Sequence, residues 1–137
     1  MTFEPSAQLR RRIADDRIVW LTTVSPTGRP SPRPVWFAWD DAASVFVVRS
    51  QPGTAKLRHI AANPNVALNF NSSSGGGDVL VVHGTAEIAG EPHPLSGVPG
   101  YIERYGDGMT GLGLTPDTFE ATYSEQVRIT PQRTWGF

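Results

Sequence analysis

The chain has 137 residues, with 12 basic and 13 acidic side chains, a formal net charge of −1 and no cysteine. That length carries one domain with a real core. The near-neutral balance offers no bulk field for nucleic acid or an anionic membrane, and the absence of thiols excludes a disulfide scaffold, a thiolate metal site and a cysteine nucleophile.

In chain order, Pro5 followed by Leu9 and Ile13 predicts a short helix over residues 5–16. Its Arg10-Arg11-Arg12 run lacks the apolar stretch of a secretory signal, and no apolar run approaches the ~20 residues of a spanning helix, so a cytoplasmic protein is expected. Ile18 to Val24 is rich in β-branched and aromatic residues and ends at the turn Ser25-Pro26-Thr27-Gly28. Arg33 to Trp39 and Val45 to Val48 follow as strands on either side of Asp40-Asp41, completing a three-strand meander. Prolines at 30, 32 and 34 confine the second strand to an edge or a bulge, because proline cannot donate to a ladder.

Thr54 then opens a helix that Asn63-Pro64 stops. Residues 65–71 alternate as a strand, 72–77 form a flexible connection, and 78–88 form a long strand with a bulge or bend at Gly84. A Pro/Gly-rich loop over 91–100, short helices at 101–105 and 116–123, and a strand over 127–131 complete the pattern. Six strands in near-sequential antiparallel order, with few helices, predict a mainly β single-domain barrel over residues 1–137.

The chemistry concentrates where a strand ending at Arg49-Ser50 turns into the helix opened by Thr54. The first turn of a helix is electropositive and normally draws acidic side chains, yet here it receives Lys56 and Arg58. An anion would resolve the conflict. A phosphate would satisfy the free N–H groups, Thr54, Lys56 and Arg49 together, whereas a solvated helix start is the competing reading. Lys56 is the only lysine of the chain. Gly75-Gly76-Gly77 lacks the Lys and Ser/Thr of a phosphate-binding loop, and His59, His83 and His93 lack metal-ligand spacing. No side chain stands out as acid, base or nucleophile, so catalysis would rest on a cofactor.

Five segments in order resemble the pyridoxamine 5′-phosphate oxidase-like family: Thr22-Thr23-Val24, Gly28-Arg29-Pro30, Pro34-Val35-Trp36-Phe37, Ser50 through Arg58, and Asn63 through Leu68. The pattern is most similar to its actinobacterial branch described as deazaflavin (coenzyme F-420)-dependent enzymes. The resemblance implies a six-stranded antiparallel split β-barrel of the FMN-binding type, a homodimer with two cofactor clefts at the subunit interface. It places Arg33, Pro34, Val35 and Trp36 along the flavin ring, with Val48, Arg49 and Ser50 beside the ring and ribityl chain. It gives the phosphate to Thr54, Ala55 and Lys56, aided by Arg49 or Arg58. Asp78 matches a polar residue that contacts the ring system, in some members from the other subunit, and the tail around Trp135 matches a cofactor-flanking segment.

Two departures matter. Ala55-Lys56 stands where the vitamin-processing oxidases carry an Arg-Lys pair, and their extended C-terminal substrate segment has no counterpart, so oxidation of pyridoxamine phosphate is not expected. The expected activity is hydride transfer between F-420 and a small organic substrate. FMN in the same pocket, a non-catalytic cofactor carrier, and a haem-binding split barrel using His59 or His83 are the alternatives.

Overall fold

The computed structural model describes residues 3–90 and 93–137. Glu91 and Pro92, at the start of the expected Pro/Gly-rich loop, lie outside them. The elements are α1 (Ala7–Asp15), β1 (Val19–Val24), β2 (Pro30–Val35), β3 (Ala38–Asp40), β4 (Val45–Ser50), α2 (Ala55–Ala62), β5 (Asn65–Asn69), β6 (Leu80–Ile88), α3 (Tyr101–Gly111), α4 (Pro116–Thr122) and β7 (Glu125–Gly136). A single 3-10 turn, Leu95–Gly97, precedes α3. Among the described residues no helix is long and apolar enough to cross a membrane.

All seven strands join one antiparallel sheet in the order β2-β1-β5-β6-β7-β4-β3. Its two edges, β2 and β3, are consecutive in the chain and separated only by Trp36 and Phe37. Three residue steps from Val35 to Ala38 span at most about 11 Å, so the sheet must curl until its edges nearly meet. The result is a mainly β split barrel, with seven strands where six were expected. The expected strand 33–39 divides because Phe37 leaves the ladder: its N–H donates to the Tyr105 hydroxyl at 2.9 Å, and that hydroxyl lies 2.8 Å from the Phe37 carbonyl. The expected three-strand meander is therefore two separate pairs, β1 with β2 and β3 with β4.

The three prolines are tolerated because β2 is an edge and they occupy alternate positions. Every missing N–H then falls on the unpaired side, while Ser31, Arg33 and Val35 face β1. Elsewhere the limits shift. α3 runs on to Gly111, and β7 begins at Glu125 and extends to Gly136. β6 starts at Leu80, which leaves Asp78 in the preceding loop with φ of 53°. The bulge expected at Gly84 is present, with the extra residue, Gln132, on β7.

Two apolar clusters hold the sheet. Inside the barrel, Leu9 of α1 and Leu57 and Ile60 of α2 pack with Leu21, Phe46, Val48, Leu68, Val82 and Ile129. Outside it, Tyr101, Tyr105 and Met109 of α3 and Phe119 of α4 cover Ala38, Val45 and Val47. β4 is buried at all six positions for this reason. Its run of Val-Phe-Val-Val is that of a strand covered on both faces.

Candidate functional site

α2 starts at Ala55, directly after the left-handed Gly53 (φ 75°) and the extended Thr54. Thr54 occupies the N-cap position, but its hydroxyl pairs with Ser50 Oγ at 3.0 Å instead of capping the helix. The first turn thus has no side-chain cap and no acidic residue. Its N–H groups remain available to an outside acceptor, as an anion site at a helix start requires.

Facing that turn is a cleft of about 300 Å³. Its walls are Leu21 and Thr23 of β1, Ser31, Arg33, Pro34 and Val35 of β2, and Thr54, Ala55, Lys56 and His59 at the opening of α2. The lining carries two permanent cations, one histidine, three hydroxyls and no carboxylate. Lys56 is half-buried, makes no hydrogen bond or ion pair among the described residues, and burial lowers its ammonium pKa from the ordinary value of 10.5. A desolvated, unpartnered ammonium calls for an anion. These donors fit a phosphate, which accepts from cations, hydroxyls and main-chain N–H groups alike.

A second cleft of about 220 Å³ shares Pro34, Val35 and Lys56 with the first. It is lined by Trp36, Arg49, Tyr101, Leu112, Phe119 and Tyr123. The aromatic wall is a column of rings: Trp36 lies 4.5 Å from Tyr105 at 7° and 5.6 Å from Phe119 at 18°, and Phe119 lies 4.5 Å from Tyr123 at 20°. Such offset stacks hold Trp36 as a rigid apolar surface.

Eight of the twelve expected site residues line these clefts: Arg33, Pro34, Val35, Trp36, Arg49, Thr54, Ala55 and Lys56. The other four are placed elsewhere within this chain. Val48 is fully buried in the barrel core. Ser50 is buried, its hydroxyl donating to the Gln51 carbonyl and meeting Thr54. Arg58 folds back to donate to the Gly53 carbonyl at 2.6 Å. Asp78 accepts from Arg11 at 2.8 Å and from Gln8 at 3.0 Å, which holds its carboxyl at about 2 and ties the β5–β6 loop to α1.

Arg49 lies between the two groups. It is 6% exposed and donates through Nε to the Tyr123 carbonyl, and through Nη1 to the His93 carbonyl and Gln126 Oε1. Burial lowers its pKa, with Glu120 opposing. It braces the second cleft and does not line the phosphate-type cleft. Thr23 and Ser31 were not expected in a cofactor site, and His59, which shares the helical face of Lys56 three residues on, was expected only as a haem ligand. Tyr101, Phe119 and Tyr123 come from the β6–β7 connection, remote in sequence. Trp135 is 60% exposed near the end of β7, outside both clefts. Among the described residues no cluster of three His, Asp or Glu could hold a metal.

A curled antiparallel sheet whose two edge strands nearly meet defines a split-barrel protein. The model of the pyridoxamine 5′-phosphate oxidase family matches residues 5–135, and the chain belongs to that family. No curated protein matches it. Among solved structures it is similar to an F-420 reductase at 24% identity, with 96% of this chain and 98% of that one covered and a TM-score of 0.72. It is similar to HutZ, the haem storage protein from Vibrio cholerae, at 16% identity, with 99% and 95% covered and a TM-score of 0.66. An FAD-binding protein from Mesorhizobium loti is 21% identical, with 95% and 90% covered and a TM-score of 0.59. At these identities the likeness is one of fold.

Proposed function

We propose that the chain is an F-420-dependent oxidoreductase acting on a small organic substrate, with FMN as the alternative cofactor. The observation that carries this reading is the carboxylate-free cleft at the opening of α2, where Lys56, Arg33 and the uncapped N–H groups converge. When bound, the cofactor supplies the hydride chemistry. Lys56, Thr54 and Ala55 hold its phosphate, Arg33 to Val35 of the β2 edge border the ring, and the Trp36 column excludes water. No side chain is assigned a proton-transfer role.

The acidic oligoglutamate tail of F-420 extends beyond its phosphate, which favours a protein with cations to spare. Arg33 joins Lys56 on the lining of the first cleft as a second cation. Titrating apo-protein with each cofactor is expected to give tighter binding of F-420, weakening as salt rises. Tighter binding of FMN reverses the choice. A Soret band on the purified protein would establish the haem reading, which His59 in the cleft keeps open.

We further propose a cytoplasmic homodimer with its cofactor clefts at the subunit boundary. Trp135 and Phe137 are 60% and 70% exposed with ring centroids 5.9 Å apart, and residues 132–137 of the tail are exposed throughout. Large apolar side chains presented together mark interfaces. Sedimentation is expected to show a dimer at micromolar concentration, and a stable monomer would remove the shared cleft.

A further inference from the structure

We propose that His59 is a proton-dependent ligand of the anion in the first cleft, so that anion binding draws a proton onto the protein. The inference rests on the phosphate-type reading of that cleft but not on which cofactor carries the anion. His59 lies three residues after Lys56, on the same face of α2, and both line the cleft. Its Nδ1 lies 2.9 Å from Thr23 Oγ1, and Thr23 is only 2% exposed on β1. The hydroxyl orients the ring and leaves Nε2 as the nitrogen for the cleft.

That hydroxyl serves both charge states. It donates to Nδ1 when the ring is neutral and accepts from Nδ1–H when the ring is charged. Protonation therefore breaks no internal bond, and Nε2–H remains a donor throughout.

The charges facing His59 set the direction of coupling. From its own helix the neighbour on the cleft is Lys56, and from β2 it is Arg33; β1 contributes only the neutral Leu21 and Thr23. On β6, Val82 and Ala86 belong to the core cluster of Leu57 and Ile60, so His83 and Glu87 alternate to the other face. No carboxylate lines the cleft. In the empty cleft the imidazole shares the lining with the cations Lys56 and Arg33. An occupied one adds a negative charge, which favours the proton on the imidazole. By linkage, the anion must bind more tightly as pH falls through the imidazole range.

Sulfate is a suitable probe, because it stays doubly charged throughout that range. Calorimetry on the full-length protein is expected to show sulfate binding about tenfold tighter at about pH 5 than at about pH 8, with net proton uptake. His59→Asn keeps a polar side chain and should flatten the profile to within about twofold. Thr23→Val, close to isosteric, leaves the imidazole in place and should retain pH dependence at reduced slope, which covers the case of a poorly folded His59 variant. A pH profile in His59→Asn equal to the wild type's overturns the proposal, as does wild-type binding that does not change with pH. Proton-linked sulfate binding in a protein that binds neither F-420 nor FMN would uphold His59 and overturn the functional reading instead.

Discussion

Lys56→Ala is expected to weaken cofactor binding by about 1.5–3 kcal/mol, or roughly 10- to 150-fold, measured by fluorescence quenching. The size follows from removing the one half-buried, unpartnered cation shared by both clefts. Its stability signature separates binding from folding. A lysine whose folded pKa is lowered holds its proton less tightly in the native state than in the unfolded chain. Native stability then rises as pH climbs from the folded value towards 10.5, and at neutral pH the charged ammonium opposes folding. The ligand-free variant should therefore melt no lower than the wild type. Unchanged affinity in Lys56→Ala would remove the phosphate assignment.

Gly84→Ala is expected to destabilise the fold by about 2–3 kcal/mol, a loss of roughly 5–10 °C in Tm. Gly84 sits in β6 opposite Pro131, beside the bulge that Gln132 makes in β7. A methyl group there would overlap the Thr130 carbonyl oxygen and come within 3.2 Å of Pro131 Cα. Both are backbone atoms, so no rotamer change relieves the clash, and the barrel wall must separate locally. Gly75→Ala is the control, with open space around the added carbon and no left-handed backbone. Equal melting temperatures for the two variants would contradict this account.

Much of this was legible from the chain because local chemistry and tertiary structure agree. The start of α2, the doubly covered β4 and the proline-marked edge strand each follow from short-range rules that the fold does not override. The misreadings have one physical source. Strand 33–39 looked continuous because its interruption is a hydrogen bond to Tyr105, nearly seventy positions away. Arg49, expected beside the cofactor, lines the second cleft, but nothing local reveals that the carbonyls of Tyr123 and His93 converge on it. The aromatic column was invisible for the same reason, since α3 and α4 reach Trp36 only through folding. His59 was singled out only as a haem ligand, although its place three residues after Lys56 on one helical face could have put it in the anion cleft.

The alternating prolines of β2 also decide how this protein can meet another copy of itself. On the outer side of that strand the main chain presents carbonyls without N–H groups, and one of them, from Pro32, already accepts from Arg33 Nη1 at 2.8 Å. An incoming strand would find acceptors but no donors, so it could not extend the sheet there. Assembly by strand addition along this edge is closed, and a second copy must dock elsewhere on the barrel. The rim that borders the anion cleft thus stays open to a small molecule while resisting capture by a neighbouring chain.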